Sequence, residues 1–260
     1  MDIYKNMQQF RAMRGSVLGQ VGFVPTMGAL HAGHASLLER SVAENEFTVL
    51  SIYINPTQFN DPKDLQNYPS TIDEDLALAR SIGVDAVILP AYEDLYADNY
   101  RYQVNEGEFS EVLCGANRPG HFTGVLTVVM KLLNLVKPNR AYFGRKDYQQ
   151  YQLIKDMAHA FFLDVDIVGC PTVRESDGLA MSSRNKLLDE DARRLAGQFN
   201  CILRRCGEDD EIAALLKRCG FEVDYVETRY GRRFGAVVMH CGSGDEQRCV
   251  RLIDNVGVAA

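Results

Sequence analysis

The chain has 260 residues, enough for one large domain or two smaller ones. A hydrophobic share of 46% supports a real core. A formal net charge of −7 excludes a sequence-independent nucleic-acid binder, which needs a basic face. Residues 1–20 are polar and lack the apolar segment of a signal peptide. The greasiest run, 125–136, is interrupted by Lys131 and Asn134 and is too short for a membrane span. The expectation is a cytoplasmic protein with neither nucleic-acid nor membrane partners.

The apolar run 21–25 predicts a first strand, and the spacing over 36–45 predicts a helix after it. Strand 47–54, helix 72–82 and strand 85–89 follow. Helix 123–136, strand 141–144, helix 148–161 and strand 164–168 complete the series. The strands are apolar almost throughout, as strands buried on both faces are. Strand–helix alternation predicts a Rossmann-like α/β domain with a parallel sheet. Ligands bind such sheets at the carboxyl ends of strands, where Pro25, Asn55 and Gly144 are expected.

After Cys170-Pro171 the pattern changes. Helices are predicted over 189–205 and 209–219, then strands over 221–228, 236–241 and 248–253 with no helix between them. This predicts a small α+β domain with an antiparallel sheet. The expected domains are 1–171 and 172–260. Gly242-Ser243-Gly244-Asp245 reads as a hairpin turn. Five of the seven cysteines lie beyond residue 200, with no C-x-x-C pair, so zinc-site spacing is absent and reduced thiols are expected.

Pro25-Thr26-Met27-Gly28-Ala29-Leu30-His31-Ala32-Gly33-His34 joins the first strand to the first helix. Unpaired N–H groups and a positive dipole at a helix start favour a phosphate. His31 and His34, three apart, share a face of a helical first turn. They suit two roles, phosphate donors or plain helix caps. Asn55-Pro56-Thr57-Gln58-Phe59 offers amides that donate and accept, and equally reads as an Asn-Pro turn. Arg118-Pro119-Gly120-His121-Phe122 is a rigid loop ahead of a long helix, its Arg either meeting an anion or solvated. Phe143-Gly144-Arg145-Lys146-Asp147-Tyr148-Gln149-Gln150 repeats strand end, Gly and helix start, with Lys146 as a compact cation and Asp147 at the N-cap position. Met181-Ser182-Ser183-Arg184-Asn185 offers hydroxyls and successive N–H groups as an anion nest, or an ordinary polar loop. The phosphate loop of P-loop ATPases is absent, as are G-x-S-x-G and H-E-x-x-H.

These five segments, in order and spacing, resemble the pantothenate synthetase (pantoate–β-alanine ligase) family, within the wider H-x-G-H nucleotidyltransferases. The resemblance spans most of the first 185 residues. It implies ATP-dependent condensation of pantoate with β-alanine through pantoyl adenylate, with Mg²⁺, a small C-terminal lid and a homodimer. It places ATP against Pro25, Thr26, Met27, Gly28, His31, Gly33 and His34. Gly144, Asp147, Val173 and Met181 are carried over toward the nucleotide. The implied catalytic set is His31, His34, Lys146, Ser182, Ser183 and Arg184, as donors and cations for the departing pyrophosphate. Gln58 and Gln150 match the two glutamines that hold pantoate, with Met27, Asn55 and Arg118 near pantoate or β-alanine. Two departures stand out: Arg145 replaces the family's usual Glu, and the C-terminal part is shorter than expected. Two other readings remain open: a nucleotidyltransferase acting on another small acceptor, and a nucleotide-sensing module without turnover.

Overall fold

Short apolar stretches build a six-stranded parallel sheet, in a computed structural model that describes residues 1–242 and 248–258. The strands are β1 (Asp2–Tyr4), β2 (Val21–Thr26), β3 (Phe47–Ile52), β4 (Ala86–Ile88), β5 (Arg140–Gly144) and β6 (Asp166–Cys170), in the order β1-β4-β3-β2-β5-β6. The helices between them are α1 (Met7–Ser16), α2 (Ala32–Glu44), α3 (Pro62–Gln66), α4 (Ile72–Ile82), α5 (Tyr92–Leu95), α6 (Cys114–Asn117), α7 (His121–Val136) and α8 (Tyr148–Ala160). Successive strands run outward from β2 through β3 to β4, and the chain then returns to place β5 on the other side of β2. The strand order therefore reverses between β2 and β5, the place where open α/β sheets bind ligands. Val24, Leu38, Leu50, Ala79, Val87 and Tyr142 fill one core cluster between the sheet and α2 and α4.

The chain divides into two compact units, Met1–Arg145 with Gln149–Cys170, and Lys146–Tyr148 with Pro171–Ala260. The second unit carries α9 (Glu190–Ala196), α10 (Phe199–Leu203) and α11 (Asp209–Arg218), then β7 (Glu222–Arg229), β8 (Arg232–Cys241) and β9 (Arg248–Gly257). These strands form an antiparallel sheet. Its inner face, including Val237, Met239, Val250 and Leu252, packs on Phe199, Leu203 and Leu216 of the helices.

Several elements differ from the sequence reading. β1 and α1 occupy residues read only as polar. Three residues give β1 no periodicity of their own, and pairing of Asp2–Tyr4 with Ala86–Ile88 defines it. The predicted helix 189–205 is two helices. They are separated by a two-residue turn at Gly197 and Gln198, both of which stay in the right-handed region. Pro25 lies inside β2, opposite Ser51, because the ladder continues to Thr26. α7 starts at His121 rather than Thr123, after Gly120 in the left-handed region. Asp147 is not an N-cap, because a 3₁₀ turn over Arg145–Asp147 runs straight into α8. In the proposed 242–245 hairpin, residues 243–245 lie outside the described residues. All seven cysteines are free thiols.

Candidate active site

In the first unit, the turn from β2 into α2 is built by side chains that capture its backbone. Thr26 Oγ1 donates to the Ser51 carbonyl at 2.8 Å and accepts from Gly28 N–H at 3.2 Å. The Asp75 carboxylate, 2% exposed on α4, accepts from Ala29 N–H at 2.9 Å and Leu30 N–H at 2.7 Å. Thr71 donates to it at 3.1 Å. Ala29 is left-handed at φ 50°, a conformation that disfavours a Cβ. Gly28, at φ 82°, takes a conformation that favours glycine, and a Cβ there would be crowded at 3.0 Å from Asp75 Oδ2 and Ile52 Cγ2.

This held turn presents the histidines as a reciprocal pair. His31 is the N-cap of α2, and its Nδ1 accepts from Gly33 N–H at 3.1 Å. His34 Nδ1 lies 3.4 Å from the His31 N–H. The rings stand 4.0 Å apart between centroids. Because each Nδ1 accepts, each neutral imidazole carries its proton on Nε2. Capping and donation therefore coexist in these side chains: one ring nitrogen closes the helix and the other is an N–H donor.

The second and third segments join the first. Gln58 is buried, and its Nε2 stands 3.1 Å from Met27 Sδ. Asn55, 1% exposed, donates to Gln58 Oε1 at 3.1 Å and to the Gly124 carbonyl at 3.2 Å. It accepts from Thr57 Oγ1 at 3.0 Å and Tyr96 OH at 2.8 Å. Burial pushes the Tyr96 phenol up to about 12, so it stays a donor. All four bonds of the Asn55 amide are thus spent on the protein. Through the bond to Oε1, Asn55 holds Gln58 in place. His121 Nδ1 lies 2.8 Å from the Gln58 carbonyl, and Arg118 reaches that carbonyl at 3.3 Å and His121 Nε2 at 3.3 Å.

Gly144 ends β5, and no non-neighbouring atom of the described residues lies within 4 Å of where its Cβ would stand. Arg145 is close to β6, with its Nε 3.0 Å from a Cβ placed on Gly169. Gln149 is consumed structurally, donating to the Phe109 and Val112 carbonyls and accepting from Cys114 N–H. The side chain of Gln150, its neighbour, has no hydrogen-bond partner among the described residues.

In the second unit, the Lys146 carbonyl accepts from Asn255 Nδ2 at 2.8 Å, and its Nζ lies 3.4 Å from Asp147 Oδ1. Val173 and Met181 close a short loop through Met181 N–H and the Val173 carbonyl at 3.0 Å. Arg174 anchors that loop with a two-pronged bond to Asp254, at 2.7 and 2.9 Å. Ser182 caps the 3₁₀ turn Ser183–Leu187 by accepting from Arg184 N–H at 3.3 Å. Sequence reasoning missed Asp75, Tyr96, Gly124 and Arg174. Asp75 sits among acidic residues of the kind that open many helices, so nothing local marks it.

Comparison with known proteins gives a consistent result. A family profile described as Pantoate-beta-alanine ligase matches residues 2–257. A pantothenate synthetase of Bdellovibrio bacteriovorus is 51% identical over 256 residues, covering 98% of this chain and 99% of that protein. One from Coxiella burnetii is 53% identical over 239 residues, covering 92% and 90%. A crystal structure of the pantoate-beta-alanine ligase of Francisella tularensis, complexed with beta-gamma ATP and beta-alanine, is 40% identical with a TM-score of 0.90, covering 99% of this chain and 97% of that one. The Thermus thermophilus structure is 36% identical with a TM-score of 0.87, each chain covered in full. The short C-terminal part is therefore shared with these relatives rather than trimmed. The alternative of a nucleotidyltransferase for another acceptor is not favoured. The chain belongs to the pantoate–β-alanine ligase family of ATP-dependent ligases.

Proposed function

We propose that this chain forms pantothenate in two steps at the residues described. A pantoate carboxylate oxygen attacks the α-phosphorus of ATP, the bond to the β-phosphate oxygen breaks, and pyrophosphate leaves. The β-alanine amine then attacks the acyl carbon of pantoyl adenylate, the acyl C–O bond breaks, and AMP leaves with pantothenate formed. The observation that carries this reading is the His31–His34 pair, two imidazoles with Nδ1 committed to backbone at the β2 end of the strand-order reversal.

Transfer to the α-phosphate needs positioning and charge stabilisation more than covalent help. His31 and His34 are proposed to donate through Nε2–H to the phosphates as charge moves onto pyrophosphate. Lys146, Ser182, Ser183 and Arg184 are proposed to neutralise the same charge. Pro25, Thr26, Met27, Gly28, Gly33, Gly144, Asp147, Val173 and Met181 are proposed to contact the nucleotide, Val173 through its backbone. Gln58 and Gln150 are proposed to hold the pantoate hydroxyls beside Met27. Amides suit this task, because a bidentate Arg on the carboxylate would blunt its attack. Arg118 acts in this reading through Gln58, whose carbonyl it meets.

Mg²⁺ is proposed as the counter-ion of ATP. Among the described residues no group of three or more His, Cys, Asp or Glu side chains could hold a metal. The described residues so supply no cage for it, and phosphate oxygens and water suit Mg²⁺ as ligands. A cytoplasmic homodimer is proposed on the resemblance alone. No described helix is long and apolar enough to cross a membrane.

The test is isotope exchange between pyrophosphate and ATP. Exchange with pantoate alone, and AMP release that needs β-alanine as well, are expected. Release of ADP, or exchange that ignores pantoate, overturns the proposal. His34→Ala should lower exchange about 100-fold or more, the scale for removing one transition-state donor.

A further inference from the structure

The outer face of the three-stranded sheet carries a row of three matched side chains, Glu222 on β7, His240 on β8 and Cys249 on β9. His240 and Cys249 are direct cross-strand partners. Glu222 stands opposite Val238, two residues from His240 on the same face. The alternate residues Val237, Met239 and Cys241 are buried in the unit's core, which turns His240 outward. The side chains of His240 and Glu222 are 50% and 59% exposed, and Cys249 is exposed.

His240 Nε2 meets Glu222 Oε2 at 2.5 Å, and His240 Nδ1 lies 3.4 Å from Cys249 Sγ. A carboxylate only accepts, so Nε2–H donates to Glu222 and Nδ1 is left to accept the thiol S–H. A nucleophile, a base and a group that orients the base stand in one line. None of the three belongs to the residues proposed for ATP, pantoate or β-alanine. On the same sheet, Asp224 is paired with Arg251 at 2.8 Å, and Glu227 with Arg229.

We propose that Cys249 is a thiol–disulfide exchange site whose co-reactant is a small disulfide from solution. In the step, His240 Nδ1 takes the Cys249 proton. The Cys249 sulfur bonds to one sulfur of the disulfide, the S–S bond of the co-reactant breaks, and its other half leaves as a thiolate that takes a proton from the imidazolium. Cys249 is oxidised to a mixed disulfide and the departing half is reduced. The sheet supplies no internal partner: Cys241 pairs with Arg248 and is buried on the opposite face.

Cys201 and Cys206 are exposed and have no hydrogen-bonded imidazole among the described residues, so they serve as references in the same molecule. An imidazole that takes the thiol proton as the sulfur attacks is expected to speed exchange about three- to tenfold. The full chain is incubated with limiting glutathione disulfide, and the mixed disulfide at each cysteine is followed by peptide mass spectrometry. Cys249 is expected to react faster than Cys201 and Cys206 by that factor. His240→Gln should remove the advantage, and Glu222→Gln should remove part of it, with the Cys201 and Cys206 rates and the ligase rate unchanged. Equal rates at the three cysteines, or an undiminished Cys249 rate in His240→Gln, overturn the proposal. A change at all three cysteines in His240→Gln reports unfolding, and Glu222→Gln alone then decides.

Discussion

Asp75 shows how much of the site depends on a residue that touches no proposed substrate. Its carboxylate accepts two N–H groups of the turn that delivers His31 and His34, and it holds Ala29 in a left-handed conformation. Asn in its place offers one acceptor oxygen and turns an NH₂ group toward an N–H. Asp75→Asn is expected to destabilise the fold by about 1–3 kcal/mol, the cost of a buried unmet donor. Adenylation should fall about 10- to 100-fold, since a displacement near 1 Å has that effect on a reacting pair. Pyrophosphate exchange and chemical unfolding on the same variant separate the two effects, and an exchange rate equal to wild type would remove Asp75 from the positioning role. His31 and His34 were legible from H-x-G-H between a strand and a helix. Asp75 was not, because its task is set by the approach of α4 to the β2–α2 turn. Asn55 was legible as a polar group near the site, but only its four partners show that it supports Gln58.

Among the elements, α7 fixes the Gln58 segment by close approach. A Cβ on Gly124 would stand 2.4 Å from the Thr57 carbonyl and 2.8 Å from Gln58 Cα. Gly124→Ala must push the Pro56–Gln58 turn away from the helix. The expected cost is about 1–3 kcal/mol from overpacking. The KM for pantoate should rise more than the KM for ATP, and steady-state kinetics with each substrate varied in turn checks this. In the second unit, the loop that ends at Ser182 is tied to β9 by Arg174 and Asp254, whose side chains are 19% and 2% exposed. Arg174→Met leaves the buried carboxylate with Asn200 Nδ2 and its own strand. Loss of one partner of such a pair costs about 3–5 kcal/mol. Urea unfolding should show this loss, and a loss below 1 kcal/mol would contradict the anchoring role. The helices of this unit were only partly legible. Apolar spacing runs through 189–205 without a break and does not mark the turn at Gly197-Gln198 that divides α9 from α10.

For the molecule as a whole, acid stability depends on carboxylates held by cations. The hydrogen bond from Lys131, with that from Tyr102 N–H, lowers Asp98 from its ordinary value of 3.8 to about 2. A lowered carboxylate pKa means that the unfolded chain binds the proton first. The contribution is therefore complete above about pH 4 and is lost as pH falls toward 2. Asp98→Asn should be less stable than wild type at pH 6, and the difference should be much smaller at pH 2. Thermal unfolding at the two pH values checks the sign, and a gap that widens in acid would refute it. By itself, the sequence determined the parallel α/β sheet, the antiparallel C-terminal sheet and the H-x-G-H turn. Each of these is written in local spacing: apolar runs of strand length, helical periodicity, and polar residues at strand ends. Only the tertiary structure decided that β1 exists, that Asp75 holds the histidine turn and that Asn55 is spent on the protein. It alone placed Glu222, His240 and Cys249 in one row. Those facts are contacts between residues far apart along the chain, and register, crossing points and close approach exist only once the strands and helices have packed.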